Sequence, residues 1–276
     1  MKLGIVMIPR RMADTPGVPV VEQVVQTAQN IEKLGFEGIW VTDAFGRGFH
    51  TLDPLVLLGL LAGTTSKVEL GTCVVQVPLR HPVEHAHRVQ TLNLMCNGRL
   101  RFGVGSGSTK ADFDCIQGDY DTRFKVLPAY LDVMQRTWNG EGVYGPPISI
   151  WPGTEGGPPV MLGAWRSQRW IDLAAKRCQG WIASGIHGSF EDLELGVQMY
   201  RKAGGQRVIL ANVFTEFRPG VPLGISHHVP KIAFNKTPAE AKETLKRIEG
   251  MGVDDVLCVV PADDPSQLEQ IRGLWP

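Results

Sequence analysis

The chain has 276 residues, of which 43% are hydrophobic and 20% are charged, and this composition excludes disordered and fibrous proteins. Lys plus Arg and Asp plus Glu each total 28, so the net charge is zero and there is no basic footprint for nucleic acid or an anionic membrane. Five cysteines without a CxxC pair, and no run approaching about 18 apolar residues, predict a soluble cytoplasmic protein with a small-molecule partner.

Short β-branched runs alternate with amphipathic stretches along the chain, the pattern of parallel strands joined by helices. The predicted strands cover residues 3–8, 38–42, 68–75, 100–104, 159–162, 180–184, 208–214 and 255–260. The predicted helices cover residues 20–34, 54–62, 82–96, 122–138, 166–177, 190–203, 238–249 and 265–274. Capping residues at Asp53, Ser189 and Thr237 mark three helix starts.

Eight strands alternating with helices predict an α/β fold, a single (β/α)8 TIM barrel over residues 1–276. Residues 139–158 are rich in glycine and proline and are expected to form an irregular insertion. A doubly wound sheet is the competing architecture. In a barrel, functional residues follow the carboxyl ends of the strands, so the residues after each strand become the candidates.

Two loops at neighbouring strand ends have the composition of an anion site. Gly103-Val104-Gly105-Ser106-Gly107-Ser108-Thr109 follows the fourth strand, and its spacing does not match the dinucleotide fingerprint. Gly163-Ala164-Trp165-Arg166-Ser167 follows the fifth strand and opens a helix. Together they predict a phosphorylated ligand. An ordinary glycine turn and an ordinary capped helix with a surface arginine remain the alternatives.

Asp43 closes the second strand, where a carboxylate accepts a hydrogen bond from a heterocyclic ring, acts as a base or caps a loop. His50 lies on the same loop and is a candidate acid or base, although a lone loop histidine more often has neither role. No GxSxG elbow, Walker loop or HExxH motif is present.

Three histidines, His81, His85 and His87, follow the third strand in the HxxEH order of an inverted zinc-protease motif. Pro82 places His81 at or before the first helical turn, which argues against a shared metal site. Three histidines on an exposed outer helix are the preferred interpretation. A metal-dependent hydrolase that uses them is kept as an alternative function.

The chain resembles the luciferase-like monooxygenase superfamily over nearly its whole length, in the stretches LGIVMIP, EKLGFEGIWVTDAF, VELGTCVVQVPLRHPVEHAHRVQTLNLMCNGRLRFGVGSGST and PPVMLGAWRSQRWIDLAAKRCQGWIASG. The resemblance implies a (β/α)8 barrel that uses reduced FMN with O2, or coenzyme F420 for hydride transfer, on a small, largely apolar organic substrate. It also implies a separate flavin or F420 reductase. Members of the superfamily are often dimeric. A non-catalytic flavin-binding barrel is the alternative.

The resemblance also assigns roles to individual site residues. Cys73-Val74 matches a non-prolyl cis peptide that packs against the cofactor ring, and Asp43 matches the acid that ends strand two. Ala44 stands where the superfamily has a histidine, and we hypothesise that His50 replaces it. The residues expected to hold the cofactor phosphate are Gly105, Ser106, Gly107, Gly163, Ala164, Trp165, Arg166 and Ser167.

Overall fold

Eight parallel strands form a closed barrel in the computed structural model, which describes residues 1–9, 11–12, 21–221, 223, 229–260 and 266–275. Each strand pairs in parallel with the next, and the eighth pairs with both the seventh and the first. The strands are β1 (Lys2–Met7), β2 (Gly38–Val41), β3 (Glu69–Thr72), β4 (Leu100–Gly105), β5 (Val160–Gly163), β6 (Gly180–Ser184), β7 (Val208–Thr215) and β8 (Asp255–Val259). The predicted TIM barrel is confirmed.

Helices follow the strands on the outside of the barrel. They are α1 (Val21–Lys33), α2 (Pro54–Thr64), α3 (Pro82–Cys96), α4 (Lys110–Asp114), α5 (Arg123–Trp138), α6 (Gln168–Arg177), α7 (Phe190–Lys202), α8 (Pro238–Gly250) and α9 (Ser266–Arg272). The three predicted caps are confirmed. The Asp53 side chain accepts hydrogen bonds from backbone N–H groups in the first turn of α2. Ser189 forms a capping box with Asp192, and Thr237 forms one with Glu240. Sequence periodicity missed α4, which has only five residues.

The third strand is shorter than predicted. β3 ends at Thr72, the Cys73–Val74 peptide bond is cis, and a two-residue strand, Val75–Gln76, then pairs with the end of β4. The predicted strand had continued to Val75.

Trp40 fills the lower interior of the barrel because glycines surround it. A Cβ atom added at Gly38 would lie 2.8 Å from the Trp40 ring, and one at Gly71 would lie 2.3 Å from it. Apolar side chains from the other strands complete this inner cluster, which is separate from the larger core between strands and helices. Side chains therefore fill the lower part of the barrel interior, and the space for a ligand within the barrel is at its mouth.

An ion-pair network joins the strands at the amino-terminal end. Arg207 donates to Asp255 with Nε 2.8 Å from Oδ2, and to Glu69 with Nη2 2.6 Å from Oε2. Glu69 also pairs with Arg101. This end is closed by structural ion pairs, so the opposite end is the one available for function.

Residues 139–159 join α5 to β5 without a helix or a strand. Helix α6 begins at Gln168, two residues later than predicted, which leaves residues 164–167 as a loop. The adjacent histidines His227 and His228 lie outside the described residues. No helix in the described part of the chain has the length and apolarity to cross a membrane.

Candidate active site

The mouth of the barrel is apolar. Ile8, Val74, Ile186, Leu223 and Ala233 are partly exposed there and pack on the buried inner cluster beneath them. They come from different strand ends, so together they form a floor rather than a single stripe. A floor of this composition suits a flat heterocycle or an apolar substrate.

Val74 is one of the five residues of this floor. It is partly exposed, whereas Cys73 and Val75 on either side are buried. A Cβ atom at Gly105 would lie 2.7 Å from Cγ2 of Val74, and one at Gly163 would lie 2.7 Å from its Cγ1. Glycine is therefore needed at both positions to leave room for Val74. The sequence interpretation had explained these glycines by the close approach of the backbone to a phosphate and did not include this packing.

The structure places Val74, which follows the buried Cys73, against both Gly105 and Gly163. The cis peptide at residues 73 and 74 is confirmed. Burial raises the pKa of the Cys73 thiol far above its usual range, so this cysteine stays protonated and contributes shape rather than a nucleophile.

The two predicted phosphate loops are neighbours, since Val104 and Leu162 are paired in β4 and β5. Gly107 has a φ of 84°, and its space is bounded by Gln76 and Phe113. Ser106 is partly exposed at the rim. Ser106 and Gly107 are thus both partly exposed, and the shape of the loop depends on glycine at residue 107.

Arg123, which sequence reasoning missed, contacts this loop. Its Nε donates to the Gly107 carbonyl at 3.1 Å, and its guanidinium lies 3.6 Å from the Tyr120 ring centroid. It has no carboxylate partner among the described residues. The two contacting residues are sixteen positions apart, and no local sequence pattern links them.

The loop after β5 is arranged differently from the prediction in one respect. Ser167 is the N-cap of α6, and its hydroxyl makes no capping hydrogen bond, so it and the first-turn N–H groups can serve an anion. Arg166 instead forms an ion pair with Asp192 on α7, with Nε 3.2 Å from Oδ1. Trp165 is exposed and its ring lies 5.0 Å from that of His187.

Asp43 is buried and both its oxygens are occupied. Arg80 donates to them, and the backbone N–H of Gln76 donates to Oδ2 at 2.9 Å. The Gln76 side chain continues to Asp112, with Nε2 2.7 Å from Oδ2, and Arg47 pairs with Asp112. Asp43 thus has the geometry of an anchor for the loops, the alternative that the sequence left open, rather than of a free base.

His50 is exposed, on a two-residue strand, Phe49–His50, that pairs with Arg11–Met12. It is not among the residues that form the apolar floor. No contact in the described structure supports the hypothesis that it replaces the missing histidine.

The three histidines of the HxxEH segment diverge. His81 is the exposed N-cap of α3, and His87 is exposed farther along that helix, but His85 is fully buried against Phe102. The expectation of three exposed histidines is therefore wrong for His85, whose pKa burial lowers to about 3, aided by the charges of Arg80 and Arg88. Within the described residues, no group of three or more His, Cys, Asp or Glu side chains could hold a metal.

A sequence profile of the luciferase-like monooxygenase family matches residues 1–254. The chain belongs to this family. Among curated relatives, the alkanal monooxygenase alpha chain of the Kryptophanaron alfredi symbiont is 27% identical over 187 residues, which are 64% of this chain and 52% of the relative. The aligned segments span between 35% and 56% of the first curated relatives, so this chain matches only part of them.

Solved structures share the fold. Monooxygenase RslO1 from Streptomyces bottropensis has a TM-score of 0.80 at 17% identity, covering 99% of this chain and 98% of its own. An F420-dependent secondary alcohol dehydrogenase, solved with an F420-acetone adduct, has a TM-score of 0.77 at 15% identity, covering 100% of this chain and 98% of its own. Luciferase-like proteins of this fold bind either FMN or coenzyme F420.

Proposed function

We propose that the protein is an oxidoreductase that binds FMN or coenzyme F420 at the barrel mouth and acts on a small, largely apolar organic substrate. One observation carries the proposal: the partly exposed Val74 side chain is seated between Gly105 and Gly163, in an apolar floor flanked by two anion-ready loops. The floor would support a flat tricyclic ring, and the loops would hold the phosphate of the same molecule.

The residues present fit such a cofactor. Val74 would support the ring, while Ser106, Gly107 and Ser167 would hold the phosphate with N–H and hydroxyl donors. Arg123, which donates a hydrogen bond to the Gly107 carbonyl, would add positive charge next to the phosphate. Arg166, paired with Asp192, would lie at the edge of this site rather than at its centre.

When bound, a reduced flavin supplies electrons to O2 and a deazaflavin supplies hydride, so the protein need not provide a reactive side chain. The apolar floor excludes water from the reacting face and orients the substrate. The Arg80–Asp43 pair keeps the loop after β2 in place at the rim. Because the cofactor would supply the reactive group, the barrel mouth does not need a free carboxylate. The acid predicted from the sequence is accordingly paired with an arginine.

The partners follow from this chemistry. An FMN-dependent reaction would require a separate reductase to deliver reduced flavin, and an F420-dependent one an F420 reductase or a second oxidisable substrate. A homodimer stays a prediction, and sedimentation velocity at micromolar concentration tests it.

Cofactor binding is tested by titrating the purified protein with FMN, reduced FMN and coenzyme F420 while ring fluorescence is followed. Val74→Arg, which places a charge in the apolar floor, is expected to abolish binding of whichever cofactor the wild type holds. Leu195→Arg on the exposed side of α7 is the matched control and should bind normally. If the wild type binds none of the three, the proposal fails. Binding without substrate-dependent turnover would instead support the non-catalytic alternative.

A further inference from the structure

The loop after β2, residues 42–53, is attached to the short helix α4 by an ion pair. Nε of Arg47 lies 3.0 Å from both carboxylate oxygens of Asp112, and its Nη2 also donates to Oδ2. The Asp112 side chain is fully buried, whereas that of Arg47 is 28% exposed. Because a buried carboxylate that lost this cation would carry an uncompensated charge, the pair holds the two segments together.

The backbone of the same loop also lies directly against α4. Gly46 has a φ of 69°, and a Cβ atom at this position would lie 3.0 Å from the Ala111 carbonyl oxygen and 2.5 Å from Sγ of Cys115. Helix α4 has only five residues, which is too short for a helix to be stable by itself. Its position therefore depends on contacts such as these.

Gln76 connects Asp112 to the end of β2 and to the loop after β4. Its Nε2 lies 2.7 Å from Oδ2 of Asp112 and 3.2 Å from the Asp43 carbonyl oxygen. Its Oε1 is buried and has no hydrogen-bond partner within the described structure. A Cβ atom at Gly107 would lie 2.8 Å from that oxygen. A movement of the loop after β4 would thus disturb the side chain that also holds Asp112.

The loop after β4 continues directly into α4. Its residues 106–109 include those proposed to hold the cofactor phosphate, and Thr109 is the N-cap of the helix. A phosphate that fixes these residues would therefore also fix α4 and, through Asp112, the loop after β2. The antiparallel pairing of Phe49–His50 with Arg11–Met12 extends this connection to the loop after β1.

We propose that Arg47 is a positioning residue that couples phosphate binding at residues 106–109 to the docking of the loop after β2. The inference rests on the proposed function, because the phosphate is that of the bound cofactor. Such coupling is reciprocal: the phosphate stabilises the docked loop, and the docked loop strengthens phosphate binding. The rim of the mouth on the side of β1 and β2 would then be held most firmly when the phosphorylated cofactor is bound.

The experiment measures amide hydrogen exchange of residues 44–50 in the protein alone, with saturating FMN and with saturating riboflavin, which lacks the phosphate. If the titration shows binding of coenzyme F420 instead, that coenzyme and its deazariboflavin core are the two probes. Ring fluorescence gives the dissociation constants in parallel.

Three variants accompany the wild type. Arg47→Met/Asp112→Asn removes both charges, so no buried charge is left unpaired and the protein should fold. Arg47→Lys keeps the positive charge. Arg201→Met/Asp254→Asn is the matched control, because it breaks an ion pair between α7 and the residue before β8, at the opposite end of the barrel.

In the wild type, the phosphorylated compound is expected to slow the exchange of residues 44–50 about fivefold or more, and the dephosphorylated compound to leave it nearly unchanged. Arg47→Met/Asp112→Asn should lose this slowing and bind the phosphorylated compound about fivefold more weakly, with unchanged binding of the other. Arg47→Lys should restore part of the slowing, and the control should behave as the wild type.

Two results would overturn the inference and leave the proposed function intact. One is equal slowing by the phosphorylated and dephosphorylated compounds. The other is slowing that persists in Arg47→Met/Asp112→Asn. If the wild type binds no cofactor at all, the proposed function fails together with the inference.

Discussion

Arg80 donates to both oxygens of the buried Asp43 carboxylate, with Nη1 2.6 Å from Oδ2 and Nη2 2.9 Å from Oδ1. The two residues lie 37 positions apart, one before α3 and the other directly after β2. A bidentate pair of this kind fixes the relative position of two loops at the barrel mouth, because the planar guanidinium matches the carboxylate in only one orientation.

Breaking this pair should cost far more than breaking a surface pair. Arg80→Met leaves the Asp43 charge buried with only a backbone donor and is expected to lower the free energy of unfolding by about 3 to 5 kcal/mol. Arg88→Met, which removes an exposed i,i+4 pair with Glu84, should cost about 0.5 kcal/mol or less. Urea denaturation of both variants measures the contrast. Similar midpoints for the two would show that the Asp43 pair does not anchor the loops.

The fit of Val74 between two glycines makes a second prediction. Gly105→Ala would place a methyl group 2.7 Å from Val74 and should destabilise the protein by about 1 to 3 kcal/mol. The double variant Gly105→Ala/Val74→Ala should recover much of this loss, because the opposing methyl groups are gone. Gly63→Ala in α2, where no atom lies within 4 Å of the new carbon, should instead be neutral or stabilising. Additive effects in the cycle would contradict the contact.

His85 makes the stability of the protein depend on pH. Burial lowers its folded-state pKa to about 3 from an ordinary value of 6.5, so the unfolded chain binds the proton more readily between these values. Its contribution is fully present above pH 6.5 and is lost as the pH falls towards 3. From pH 6 to pH 4 this residue should add a slope of about 1.4 kcal/mol per pH unit to the unfolding free energy.

The slope is assigned by substitution. His85→Phe keeps an aromatic ring against Phe102 and removes two ring nitrogens that have no hydrogen-bond partner, so the variant should lose the slope and gain stability in acid. His87→Phe, at an exposed position on the same helix, should keep the wild-type slope. Chemical denaturation between pH 4 and pH 7 compares them. A His85→Phe curve parallel to that of the wild type would refute the assignment.

The sequence was most informative where local physics decides the outcome. Asp53, Ser189 and Thr237 predicted helix starts because capping needs only neighbouring residues. Gly105 and Gly163 pointed to strand ends that had to be adjacent in a barrel. The role of Asp43 was less accessible, because its partner Arg80 is 37 residues away and no local pattern links them.

His85 is a different case, since the sequence did contain a signal. Residues 85, 89, 92 and 96 recur at helical spacing and are all buried in α3, so the periodicity of the apolar residues placed His85 on the inner face. Conversely, the contact of Arg123 with Gly107 depends on where α5 begins relative to the glycine loop, which is a tertiary property.

Arg123 yields the last prediction, which separates phosphate recognition from ring recognition. Arg123→Ala removes the cation beside Gly107 but leaves the apolar floor intact, so it should weaken binding of a phosphorylated cofactor by roughly tenfold or more. Binding of the corresponding dephosphorylated compound, riboflavin in the case of FMN, should change little. Arg136→Ala, on the same helix and paired with exposed Glu141, is the control and should affect neither ligand. Equal losses for the phosphorylated and dephosphorylated compounds would mean that Arg123 supports the shape of the loop instead of contacting the phosphate.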